Sequence, residues 1–227
     1  MADFTADFEA GVHGATITTG AGEASATAWF NVDGTPTYSN TQVAHGTLSA
    51  EVNAAQWLEW IVDASTPTYG RFYFLFSSNP SAEEIILGAR IDADFSIRIS
   101  DTGKVVVHDS DANGGHSMTS TASVSTGSWV RFEYFVVFST TVGQVIVRFF
   151  NTMDSSTPTE ELSSPATWWT GSGTPMPIIK FGCQFGRFPS AIYFDDIVAN
   201  ATNWVGPVPA VAPQVLAMQT RVGRHAR

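Results

Sequence analysis

The stretch GSWVRFEYFVVF (127–138), followed by GQVIVRFFN (143–151), decides the fold of this chain. In the second stretch, apolar residues alternate with Gln144 and Arg148, which is the period of a β-strand with one buried face. The first stretch is apolar on both faces, as is typical of a strand in the middle of a sheet. Both stretches are therefore predicted β-strands.

Working outward, the same signals recur along most of the chain. Further strands are predicted at 4–9, 14–19, 25–32, 46–53, 56–63, 71–76, 85–91, 95–100, 104–108, 117–124, 178–186 and 192–199. Turn residues such as Asp33-Gly34, Asn79-Pro80 and Asn113-Gly114 separate these runs. No window of 12 or more residues shows a capped helical stripe. Short strands at regular spacing predict an all-β sandwich or barrel.

Composition limits the class of protein. The chain has 227 residues, of which 44% are hydrophobic and 14% charged, and this is typical of one globular domain. A net charge of −10 argues against nucleic-acid binding, which needs a basic surface. The single cysteine, Cys183, excludes a disulfide within the chain. We expect neither a signal peptide nor a membrane span, because no apolar run has the required length.

Several short motifs together resemble the concanavalin A-like lectin/glucanase superfamily, including its LamG-like jelly rolls. They are FEAG (8–11), RFYF (71–74), DTGK (101–104), the two stretches quoted first, YFDDIVAN (193–200) and NWVGP (203–207). The last two motifs resemble domains of actinobacterial secreted proteins and of minor virion proteins of phages that infect such hosts. The resemblance implies a two-sheet antiparallel jelly-roll sandwich. This fold hosts lectins, glycosidases, lyases and structural modules, so it does not settle function.

The composition changes after Trp204. We predict a jelly-roll domain over residues 1–204 and an extended, Pro-rich, basic tail over 205–227. This tail contains no acidic residue, and its cations are Arg221, Arg224 and Arg227. These arginines are predicted to dock on other virion proteins or on copies of the chain itself. The alternative is a disordered terminus.

Catalytic residues are not expected. Hydrolases of this fold carry a Glu-x-Asp-x-(x)-Glu strand, and this sequence contains no such run. Glu133 is predicted to pair with Arg131, Arg148 or Arg98 across strands. The histidines lack zinc-ligand spacing, and Cys183 lies in an apolar strand typical of an inert core thiol.

No cofactor is predicted apart from a candidate structural calcium at one of two places. Asp109, Asp111 and Asn113 match the first half of a calcium loop, although a polar hairpin turn explains the same residues. The second candidate pairs Glu9 with Asp195, because the resemblance implies adjacent terminal strands that share an ion. Its alternative is that Asp195 accepts backbone hydrogen bonds at the sheet edge.

Aromatic side chains are the candidate carbohydrate contacts, because sugar rings stack on Trp and Tyr. Trp168 and Trp169 lie in the segment 152–177, a predicted surface loop, and we expect one of them to be exposed. Trp57, Tyr69 and Tyr73 are candidates for a concave face. The alternative for each of these aromatics is packing in the core or at the rim.

These observations predict a non-enzymatic phage virion surface protein, either a minor tail protein or a capsid decoration protein, made in the host cytoplasm. Its lectin-like domain is expected to bind host surface glycans, and no membrane or nucleic-acid partner is predicted. The alternative is a glycan-active enzyme of the same fold, a glycoside hydrolase or polysaccharide lyase.

Overall fold

The computed structural model describes residues 4–20, 28–62, 67–89, 95–109, 115–139, 141–168, 170 and 178–209. These residues form β-strands, and among them no helix is long and apolar enough to cross a membrane. In chain order the strands are β1 Phe4–Ala6, β2 Asn31–Asp33, β3 Thr37–Ser39, β4 Ser49–Val52, β5 Gln56–Ile61, β6 Thr68–Phe76, β7 Glu84–Ala89, β8 Phe95–Ile99, β9 Lys104–Asp109, β10 Ser117–Ser123, β11 Val130–Val137, β12 Gln144–Phe150, β13 Glu160–Ser163, β14 Ile178–Cys183 and β15 Ile192–Ala201.

The strands form two sheets in which each recorded pairing is antiparallel. The eight-stranded sheet has the order β13-β12-β11-β6-β15-β4-β3, and β1 also pairs with β15. The seven-stranded sheet has the order β10-β9-β8-β7-β14-β5-β2. The predicted two-sheet antiparallel jelly-roll sandwich is therefore confirmed. Strands that neighbour each other in a sheet are often far apart in sequence, as β6 and β15 are.

The core lies between the sheets and is rich in phenylalanine. In β6 every second residue, Phe72, Phe74 and Phe76, points into it and is fully buried. Phe72 stacks on Phe132 of β11 with ring centroids 5.1 Å apart. Each buried Phe side chain stabilises the fold by roughly 1.5–3 kcal/mol. The intervening residues of the same strands, such as Arg71 and Tyr73, lie on the outer face of their sheet.

Short strands are the main difference from the sequence prediction. The predicted strand at 14–19 makes one isolated bridge, between Thr16 and Thr37, and the one at 25–32 has its strand at Asn31–Asp33. Strands β3 and β13 were not predicted, and β13 lies inside the segment 152–177 that was assigned as a loop. A strand of three or four residues is too short to show an alternating pattern in the sequence. Such a strand is held extended by its pairing with a neighbouring strand.

Candidate functional site

A row of side chains crosses the outer face of the seven-stranded sheet. Five neighbouring strands each contribute one residue, and each residue is directly opposite the next in the strand register. In order from β5 to β9, the residues of this row, here called the trough, are Glu59, Lys180, Gly88, Ser96 and His108. Their chain neighbours point to the opposite side, into the core. The trough thus joins residues from five separate strands into one surface.

The charges along the trough are paired. Lys180 Nζ lies 2.7 Å from Glu59 Oε1 and 5.9 Å from the centroid of the Trp57 ring. In the adjacent row, Arg98 donates to Ser96 Oγ at 2.7 Å and to Glu83 Oε1 at 2.9 Å. Each cation therefore has a carboxylate partner, and the lining is polar but close to neutral.

His108 has unused hydrogen-bonding capacity in the trough. Its Nδ1 atom is buried and has no hydrogen-bond partner among the described residues. Burial, together with the nearby Arg98 cation, lowers the pKa of His108 below its usual range. The imidazole is therefore neutral at physiological pH, with one nitrogen that can accept and one that can donate.

Gly88 lies buried at the middle of the trough, and no described side chain crowds its Cα. Other strand glycines are required by their surroundings: a Cβ on Gly70 would lie 2.1 Å from Tyr134 Cζ, and one on Gly182 would lie 2.1 Å from Gln56 O. By contrast, a Cβ on Gly88 would meet Ile85 Cγ2 at an ordinary 3.6 Å and no described atom closer. Its φ is not in the left-handed region. A strand glycine that its own chain does not require often marks the close approach of a ligand.

Two of the tryptophans predicted from the sequence to contact carbohydrate are buried in the protein. Trp57 lies beside the trough but is 7% exposed, and Trp168 is 3% exposed and belongs to the core. The Trp168 ring stacks on His116 at 5.7 Å. Trp169 lies outside the described residues, as do Asp111, Asn113, Arg221, Arg224 and Arg227. The carbohydrate role of the tryptophan pair stays a prediction.

Tyr69 and Tyr73 lie on the other side of the sandwich, on the outer face of the eight-stranded sheet. The segment following β15, residues 204–208, here called the strap, runs along β6 above them. The ring centroids of Trp204 and Tyr69 are 5.2 Å apart, and the Val208 N–H donates to Tyr73 Oη at 3.0 Å. Tyr73 is fully buried beneath the strap. The strap crosses the boundary predicted at residue 205, so the first tail residues lie against the sandwich.

The carboxylates of the second calcium candidate hold one loop. Glu9 accepts the N–H groups of Thr47 at 2.8 Å and Leu48 at 3.0 Å. Asp195 Oδ2 accepts the N–H groups of Ala44 at 2.9 Å and His45 at 3.2 Å. Both side chains thus serve the 44–48 loop as backbone acceptors, which is the alternative given for Asp195.

Asp109 of the first calcium candidate also accepts hydrogen bonds from the protein. Asp109 is buried and accepts a hydrogen bond from the His116 N–H. Its Oδ2 atom lies 3.0 Å from His116 Nδ1. Across the described residues, no group of three or more His, Cys, Asp or Glu side chains is arranged to hold a metal ion. The carboxylate oxygens described here face hydrogen-bond donors of the protein. A calcium at either place stays a prediction.

A polar network that the sequence did not suggest links the 44–48 loop to the strap. His45 Nδ1 lies 2.7 Å from Asp196 Oδ2, and His45 Nε2 lies 3.4 Å from Asp154 Oδ1. Tyr73 Oη donates to the same Asp154 oxygen at 3.3 Å. Asp196 has a φ of 45° at an irregularity in β15, and burial raises its pKa. This backbone conformation turns the Asp196 carboxylate toward His45.

Comparison with known proteins adds structural neighbours. No protein-family model matches the chain, and no curated protein matches it in sequence. The endo-β-1,4-glucuronan lyase from the fungus Trichoderma reesei superposes with a TM-score of 0.58 at 15% identity, over 82% of this chain and 94% of the lyase. The binding domain of Paraclostridial Mosquitocidal Protein 1 gives a TM-score of 0.56 at 11% identity, over 84% of this chain and 47% of that one.

A third neighbour is domain 4 of AbnA, a GH43 extracellular arabinanase from Geobacillus stearothermophilus, solved in complex with arabinotriose. It gives a TM-score of 0.51 at 13% identity, over 74% of this chain and 80% of that domain. At these identities the likeness shows the β-sandwich fold. The neighbours include an enzyme and binding domains, so fold alone does not separate catalysis from binding.

Proposed function

We propose that this protein is a non-enzymatic, glycan-binding β-sandwich module whose binding site is the trough. The observation that carries the proposal is Gly88, at the centre of a row of polar side chains, where an added Cβ would meet no described atom closer than 3.6 Å. A sugar chain presents hydroxyl groups along its length, and Lys180, Ser96 and His108 can bond to them. Trp57 lies beside the row, with its ring centroid 5.9 Å from Lys180 Nζ. The fold neighbours, which include a sugar-bound domain, support the same class of ligand.

Binding is favoured over catalysis by the state of the carboxylates. Glycoside hydrolysis needs two carboxyl groups that flank the scissile bond and are free to transfer protons or attack. Glu59 and Glu83 are each held in an ion pair, with Lys180 and Arg98. Glu133, the acid singled out in sequence, is buried on the opposite sheet with its carboxylate 2.9 Å from Arg131 Nε. None of these three acids is placed as a free general acid.

The proposal extends to the place where the module acts. An acidic domain joined to a basic, Pro-rich tail suits a surface protein of a phage virion, with the tail docked on the particle. The motifs at 193–200 and 203–207, which resemble phage virion domains, support this location. Binding of host surface glycan would then be the contribution of the sandwich. Mass spectrometry of purified virions from the native host would test the location.

The trough is tested by filling it. Gly88→Val adds a side chain where a Cβ meets ordinary contacts, so the fold should persist while the ligand is blocked. Retention on host cell-wall polysaccharide should fall at least about tenfold, equivalent to about 1.4 kcal/mol. Thr119→Val, on exposed β10 of the same sheet, is the matched control and should bind as the wild type does. Unchanged retention of Gly88→Val, at an unchanged melting temperature, would remove the trough from consideration.

Catalysis is tested with the wild-type protein and with Glu59→Gln. Incubation of wild-type protein with cell-wall polysaccharides should release neither reducing sugar nor unsaturated product. Turnover that Glu59→Gln abolishes would replace the binding proposal with the enzyme alternative.

A further inference from the structure

Three aromatic rings meet on the outer face of the eight-stranded sheet, opposite the trough. Tyr69 of β6 and Phe135 of β11 are cross-strand neighbours, with ring centroids 4.8 Å apart. Trp204, from the strap, packs against Tyr69 with a T-shaped contact at 5.2 Å. All three rings are half-buried, so each keeps part of its surface accessible. Such a partly accessible aromatic group on an ordered sheet is a surface to which a sugar ring can stack.

Arg148 fixes the orientation of Trp204. Its guanidinium carbon lies 3.8 Å from the centroid of a Trp204 ring, so it occupies one face of the indole. Arg148 Nε in turn donates to Glu161 Oε2 at 2.6 Å. Trp204 as a whole stays partly exposed beside this contact. The Arg148–Glu161 pair also places donors and acceptors for sugar hydroxyls beside the aromatic group.

The strap holds Trp204 in this position. Residues 204, 206 and 208 meet residues 69, 71 and 73 in order, which matches the two-residue repeat of an extended chain lying along β6. Arg71 Nη1 donates to Gly206 O at 2.9 Å, and Val208 N donates to Tyr73 Oη at 3.0 Å. Pro207 restricts the backbone between these two contacts. Arg71 and Tyr73 therefore act as positioning residues for Trp204.

We infer that Trp204 and Tyr69 form a second sugar-binding site, for a neutral pyranose or furanose ring, so that the module has one site on each sheet. This inference rests on the proposed glycan-binding function and deepens it. The ligand is neutral because Arg148 is paired with Glu161 and because a net charge of −10 repels polyanions. Two sites on opposite faces can bind two glycan chains at once, which raises the avidity for a polymeric surface.

The experiment separates the two sites by working in the Gly88→Val background. The probes are immobilised neutral polysaccharides (arabinan, galactan, mannan and dextran), with polygalacturonate as the anionic comparison. Trp204→Ala should lower the residual affinity of Gly88→Val for the best neutral probe at least about tenfold. Trp204→Phe keeps an aromatic face and should retain most of this affinity. Tyr73→Phe should lower it about 2- to 10-fold through the loss of one hydrogen bond to the strap.

Several results would overturn the inference. If Trp204→Ala binds as its parent does, the second site does not exist, while the trough and the proposed function stand. Stronger binding of polygalacturonate than of neutral probes would overturn the ligand class. Because Trp204→Ala could also disturb the strap, its melting temperature is compared with that of Tyr73→Phe. If the wild type binds none of the neutral probes, the inference and the proposed function both fail.

Discussion

Glu133→Gln should destabilise the sandwich strongly. The Glu133 carboxylate lies 2.9 Å from Arg131 Nε, and the two side chains are 4% and 1% exposed. Its cross-strand neighbours in the register are Arg71 on β6 and Arg148 on β12, so the anion lies in an arginine-rich part of the sheet. Gln keeps the volume and removes the charge, leaving buried Arg131 without its counter-ion. Breaking a buried ion pair from one side costs about 3–5 kcal/mol.

Urea denaturation measures this loss. With an m-value of about 3 kcal/mol/M, the midpoint should fall by about 1 to 1.7 M. The matched control is Glu161→Gln, because Glu161 pairs with Arg148 at 2.6 Å but is 40% exposed. An exposed pair contributes about 0.2–1 kcal/mol, so the control should shift the midpoint little. Equal shifts for the two variants would refute the reasoning, since burial would then not decide the cost.

Three further predictions concern stability. Tyr134→Phe should stabilise the protein by about 1–3 kcal/mol in urea denaturation, because the Tyr134 hydroxyl is buried without a hydrogen-bond partner among the described residues; equal or lower stability would contradict this. Burial and the neighbouring Asp196 raise the pKa of Asp195 to about 8, against three backbone N–H bonds that lower it. The folded state therefore keeps a proton that the unfolded state releases above about pH 4, so this contribution to stability should fall as the pH rises from about 4 to about 8. Asp196→Asn should flatten that profile, and an unchanged slope in urea titrations would argue against the assignment. Removing residues 210–227 should leave the melting temperature nearly unchanged, because the strap remains; a large drop in calorimetry would show that the tail stabilises the sandwich.

The sequence predicted the fold wherever periodicity was long enough to read. The runs that became β6, β11, β12 and β14 alternate or stay apolar over six or more residues, so hydrophobic burial specifies them locally. Strand β13 was missed because four residues with one buried side chain, Leu162, show no period. Its pairing with β12 arises from the tertiary structure.

The candidate sites were less accessible to prediction because they depend on register. Glu59, Gly88 and His108 are distant in sequence, and the strand order of the folded sheet is what brings them together. Gly88 did carry a signal, since a glycine inside an apolar run suggests close approach. Trp204 was placed at a domain boundary, and its contact with Tyr69 could not be inferred without the path of the strap.

The pairing of the first strand with the last has a mechanical consequence. Phe4, at the start of β1, lies opposite Ala199, near the end of β15. A force that pulls the N- and C-terminal sides of the domain apart therefore acts on one end of this antiparallel pair. Hydrogen bonds in such a pair open one after another instead of sharing the load. On the C-terminal side, however, the force must first break the contacts of Trp204 and Val208 with Tyr69 and Tyr73 of β6. We therefore expect a module tethered at both ends to yield first at β1, at low force, while the two sheets stay packed.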